Sequence, residues 1–174
     1  MFEKTLLSNL IYNEDFTRKT LPFIKPDFFR NRDEVTLFNI INAFVVKYNN
    51  LPTKEAIEIE LSNNKTLTED EYKNTKSLLN SLQHEEVEQQ WLLDTTEKFC
   101  KDRAVYNAVL QGIKIIDGKD KKHTPEAIPS ILSEALGVSF DRHIGHDYLA
   151  QTDERFDYYH RVEERLKFDL SYFN

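Results

Sequence analysis

The sequence predicts an all-α fold, made of a small helical bundle, a long helical hairpin and a C-terminal linker helix. Glycine and proline are scarce, four and five in 174 residues, whereas sheet-rich folds consume both in tight turns. Apolar residues recur at spacings of three, four and seven rather than in alternation. Asparagine and threonine stand in front of several of these runs, where their side chains can close a helix N-terminus. The β-branched segments FVV and IKII lie inside longer stretches of helical period, which overrides their strand propensity.

Residues 1–84 read as the bundle. Leu6, Leu7, Leu10 and Ile11 give the first helix its apolar face. Asn13 caps a second helix whose first turn carries Glu14 and Asp15, where acidic groups meet the positive end of the helix dipole. Pro22 and Pro26 close it. Asn31 and Glu34 open a third helix with the seam Phe38, Ile41, Val45 and Tyr48, ended by Asn49, Asn50 and Pro52. Thr53 caps a short fourth helix. Thr68 and Glu71 form a capping box for a fifth, which turns Tyr72, Leu79 and Leu82 inward.

Residues 85–140 read as a hairpin that completes the N-terminal domain. A helix from Glu85 to about Asp117 repeats Leu92, Phe99, Tyr106 and Ile113 at intervals of seven, a coiled-coil-like seam. The run Asp117 to Lys122 is a polar turn. Thr124 and Pro125 then restart a helix carrying Ile128, Ile131, Leu132 and Ala135. The set Tyr106, Val109, Leu110, Ile113 and Ile116 is broader than one short partner helix needs. It makes self-association through the hairpin one expectation, with Ile128, Ile131 and Leu132 as further candidates, and cover by the bundle of the same chain the other. Trp91 is expected in the core.

Residues 141–174 carry a charged, aromatic helix with Leu149, Thr152, Phe156, Tyr159 and Leu166 along one side and a short tail. This pattern has no partner among the preceding elements and reads as a linker that docks on another domain or subunit. Composition narrows the function class. Thirty acidic against 23 basic residues give a net charge of −7, so general attraction to nucleic-acid phosphates is not the main business of the chain. The single cysteine, Cys100, excludes a disulfide framework and reads as a small buried hydrophobe. No signal peptide or membrane-spanning run is evident, so a cytoplasmic protein is expected.

The element order and the segments LIYNEDFTRKTLPFIKPDFF, TEKFCKDRAVYNA, FDRHIGHDY and RFDYYHRVEERLKFDLSYFN resemble the N-terminal domain and linker helix of DnaB-type replicative helicases, in particular those of T-even-like tailed phages. The resemblance spans essentially the whole chain. It implies a collar in a hexameric ring: copies pack as dimers or a trimer of dimers, the linker helix docks on the neighbouring motor domain, and the collar engages DNA primase and, by extension, a helicase loader. In that family the chain continues into a RecA-like motor that uses ATP and magnesium and moves on single-stranded DNA. Here the sequence stops at Asn174, about where that motor begins, and it has no Walker A loop. Neither catalysis nor a cofactor is expected of these 174 residues.

Two other readings compete. A stand-alone adaptor or inhibitor that binds a replicative helicase could use the same fold. His143, His146 and Asp147 raise an HD-type metal phosphohydrolase, because two imidazoles and a carboxylate at this spacing can approach one metal. Such a site needs further ligands from separate core helices, and a structural junction beside Gly145 is the expected role. Glu55, Glu58 and Glu60, the pair Glu163 and Glu164, and the lysines Lys119, Lys121 and Lys122 read as solvated faces and a soluble loop.

Overall fold

The first helix of the computed structural model, α1 (Phe2–Tyr12), buries Leu6, Leu7, Leu10 and Ile11. The structure describes residues 2–84 and 86–140. The linker stripe Leu149, Thr152, Phe156, Tyr159 and Leu166 and the group His143, His146 and Asp147 lie outside the described residues. Asn13 ends α1 and starts α2 (Glu14–Thr20), its side chain accepting from the Phe16 amide at 3.0 Å. Two 3-10 turns, Leu21–Phe23 and Pro26–Phe28, follow at the predicted prolines.

Helix α3 (Arg32–Tyr48) opens with the Asn31–Glu34 capping box and ends at Asn49, whose φ of 49° is left-handed. That conformation suits asparagine better than most side chains. Thr53 caps α4 (Lys54–Asn63), and the Thr68–Glu71 box caps α5 (Glu69–Ser81). Glu71 also meets Arg32 of α3 at 2.6 Å. The amide and hydroxyl of Thr68, with Arg32, hold the Glu71 carboxyl below its ordinary value. After α5, Gln83 accepts from the Ser8 hydroxyl, and Leu82 accepts from Lys54.

The long helix α6 (Gln89–Ile116) leads through a polar turn and the 3-10 turn Pro125–Ala127 to α7 (Ile128–Leu136). Among the described residues there are seven α-helices and no strand. They belong to one compact unit that ends at Phe140. Its core joins Leu6, Leu7 and Leu10 of α1 to Phe16, Phe28, Leu37, Phe38, Ile41, Leu79 and Leu92. Each such side chain contributes roughly 1.5–3 kcal/mol by leaving water. Phe140 closes the unit, its ring 4.9 Å from that of Phe23.

Four expectations need correction. The long helix begins at Gln89 rather than Glu85, because the Glu88 carboxylate accepts from the Gln90 and Trp91 amides and sets the cap there. Trp91 is not in the core but half exposed, since Leu92 takes the inward position of that first turn. Tyr48 is likewise exposed, packing on Phe44 at 4.6 Å under the Lys47 ammonium. In α5, Thr75 and Leu78 share the inward face with Leu79, and Tyr72 is only partly covered.

Candidate functional site

Helix α6 spans about 42 Å at 1.5 Å per residue, long enough to serve two packing partners in succession. Its first half faces the bundle. Leu92, Thr96 and Cys100 are buried there, and Phe99 lies against Phe2 and Phe29 at 5.6 and 6.3 Å. Burial pushes the Cys100 thiol up to about 12, with Glu97 adding to the shift. That is the signature of an inert structural cysteine.

The second half turns its buried side to α7 through Ala108, Gly112 and Ile115. A Cβ on Gly112 would stand 3.5 Å from Ile128 Cγ2, an ordinary van der Waals contact, so α7 packs directly on this face of α6. Farther along, Glu97 accepts from the Ser139 hydroxyl at 3.2 Å and pairs with Lys101 at 2.6 Å. Lys101 and then Ser139 keep its carboxyl below the ordinary range.

Between the two halves α6 is bolted to the turn Pro26–Phe28. Arg103 is buried, and its Nε donates to the Phe28 carbonyl at 2.6 Å. Asn107 donates to the Asp27 carbonyl at 2.9 Å and to Asp27 Oδ2 at 3.2 Å. The Arg103 guanidinium carbon sits 5.0 Å from the Tyr106 ring centre, within cation–π range. Sequence reasoning missed Arg103 because its acceptor is 75 residues away. Only its place on the face that also carries Thr96 and Cys100 hinted at burial.

The opposite side of this segment is uncovered among the described residues. Tyr106, Val109, Leu110, Ile113 and Ile116 are 52%, 46%, 39%, 49% and 72% exposed, and their spacing puts them in one stripe. A contiguous apolar stripe of this kind marks an interaction surface more often than a solvated face. The predicted self-association set therefore divides. Its five α6 members form the open stripe, whereas Ile128, Ile131 and Leu132 are partly buried on α7, with Ile128 against Gly112. Leu136, which the sequence reading left out, is 69% exposed at the end of α7.

Other sites are poorer in chemistry. A groove of about 560 Å³ between α3, α4 and the following loop is lined by Ile40, Phe44, Tyr48 and Leu67, with Lys47 and Glu60 at its edge. Among the described residues no group of three or more His, Cys, Asp or Glu could hold a metal ion, and no helix is long and apolar enough to cross a membrane. At the hairpin turn Asp120 accepts from the Lys122 amide and from His123, while Lys119 pairs with Asp117. These contacts describe a self-satisfied loop.

No family model matches the chain. It is 30% identical, over 177 aligned positions, to the DnaB-like replicative helicase of Enterobacteria phage T4. The aligned stretch takes in 97% of this chain and 37% of that protein, so the chain spans little more than a third of its relative's length. The likeness is that of an N-terminal domain of a DnaB-type helicase.

Proposed function

We propose that this chain, a helicase-related domain of the DnaB type, is the collar of a phage hexameric replicative helicase. The observation that carries the reading is the α6 stripe, which the described part of the chain leaves open to solvent. An isolated domain gains nothing from five large apolar side chains in one exposed row, whereas a domain whose work is to hold copies together needs such a row. The buried face of the same helix is anchored at Phe28 and Asp27, so the stripe is presented on a rigid element. Rigid presentation lowers the ordering cost of association.

In this reading the collar organises motor domains into a ring and offers a surface to primase. The stripe of Leu149, Thr152, Phe156, Tyr159 and Leu166 docks on a neighbouring motor domain. ATP, magnesium and single-stranded DNA belong to the motor, and these 174 residues do no chemistry of their own. The test is the solution mass by light scattering from low to high micromolar concentration. Dimers or larger even assemblies that disperse on Ile113→Asp or Ile116→Asp substitution support the collar. A wild-type chain that stays monomeric throughout the range overturns it.

A further inference from the structure

Helix α3 turns Leu37, Phe38 and Ile41 to the core. Beside that face a second one, from Thr36 to Tyr48, forms a wall of the open groove shared with α4 and the loop after it. At 1.5 Å per residue this wall runs about 18 Å. Ile40, Phe44 and Leu67 are partly buried and make an apolar floor. The side-chain amides of Asn39 on α3 and Asn63 on α4 are exposed at the rim and hydrogen-bond nothing among the described residues. From this floor and rim we propose that the groove binds an extended, uncharged peptide segment of another protein, anchored by apolar side chains at alternate positions. The proposal is independent of the self-association argued above, which uses α6.

The floor sets the spacing of the occupant. Ile40 and Phe44 are one helical turn apart, about 6 Å along α3, and alternate side chains of an extended chain stand about 6.6 Å apart on one face. The rim sets its backbone. Each asparagine amide offers both a donor and an acceptor, which an extended segment meets with its free N–H and C=O groups, whereas a helix has already bonded its own to itself. Charge sets its composition. Lys47 on α3 and Glu60 on α4 are the charged residues that line the groove, and they cancel, although the chain as a whole carries −7. A charged segment would lose at one wall what it gained at the other. The loop wall is fixed before anything binds: Asn64 Oδ1 accepts from the Thr66 amide at 3.1 Å and the Thr66 hydroxyl at 2.7 Å, and the Leu67 amide donates to the Asn64 carbonyl at 3.5 Å. A wall already in place lowers the ordering cost of binding.

The test titrates the 174-residue chain with a synthetic peptide blocked at both ends, carrying leucine and phenylalanine at alternate positions between serines, and follows backbone amide signals by NMR. Saturable shifts are expected along α3 from Thr36 to Tyr48 and at Asn63 to Leu67. Asn39→Ala and Asn63→Ala should each weaken binding by about fivefold and leave the fold intact, because both side chains are exposed and unbonded among the described residues. A control peptide with the same apolar residues four apart, locked as a helix by a side-chain lactam, should bind at least about tenfold more weakly. Equal or tighter binding of the helical peptide, or unchanged affinity in both asparagine variants, overturns the extended mode. Shifts confined to the stripe of Tyr106 and Ile113, or no saturable binding, overturn the groove as a peptide site. Peptide binding that fades as protein concentration rises assigns the groove to a second copy and overturns the proposal as well.

Discussion

Replacing Gly112 by alanine should stabilise the protein, and the size of the effect follows from the α6–α7 contact. Gly112 lies inside a 28-residue helix, where glycine costs about 1 kcal/mol relative to alanine through backbone entropy. The new Cβ would meet Ile128 Cγ2 at 3.5 Å, an ordinary van der Waals separation, so the methyl adds contact without displacing α7. For a unit of this size a gain of about 1 kcal/mol raises the melting temperature by roughly 2–4 °C. Leucine at the same place must push its extra carbons into the hairpin, and overpacking of that kind costs about 1–3 kcal/mol. The assay is thermal unfolding by circular dichroism at one fixed protein concentration, because association would itself shift the midpoint. A lower midpoint for Gly112→Ala, or equal tolerance of alanine and leucine, would refute the packing of α7 on this face.

Further outcomes follow from the caps and anchors. Thr68→Ala removes the acceptor for the Glu71 amide and should cost about 1 kcal/mol in denaturant unfolding. Because Glu71 is held below its ordinary carboxyl value, its contribution is present above that value and is lost as pH falls through the lowered one. Glu71→Gln should therefore flatten the acid limb of the stability curve. The Cys100 thiol is raised from 9.0 to about 12, so burial of the neutral thiol contributes fully below pH 9 and its contribution fades as pH rises toward 12. The difference in stability between wild type and Cys100→Ala should shift in that window, and a constant difference would count against it. Arg103→Met leaves the Phe28 carbonyl without its charged donor and should cost about 1.5–3 kcal/mol, measured by urea unfolding of the dilute protein.

The helices were legible because their signals are local. Asn13, Thr53, Thr68 with Glu71, and Asn31 with Glu34 each cap the helix that follows, since a cap needs only its own first turn. The seven-residue repeat located α6, and the breadth of its apolar face from Tyr106 to Ile116 already pointed to a surface larger than α7 covers. What escaped was set by distant partners. The burial of Arg103 depends on a carbonyl in the turn Pro26–Phe28, and the exposure of Trp91 depends on Glu88 starting the helix where Leu92 faces inward. Ile128, Ile131 and Leu132 share the apolar character of the α6 stripe, and periodicity alone could not tell a face packed within the hairpin from one left open. Tyr48 illustrates the same limit on α3, where the helical period continues for a turn beyond the bundle that gives it meaning.

Hydrogen exchange at low and high protein concentration decides whether α6 is where copies of this chain meet. Protection in the segment 104–118 should rise with concentration while that of α3 and α4 does not change. Protection that is independent of concentration throughout, or that rises along the groove of Ile40, Phe44 and Tyr48 instead, would contradict it.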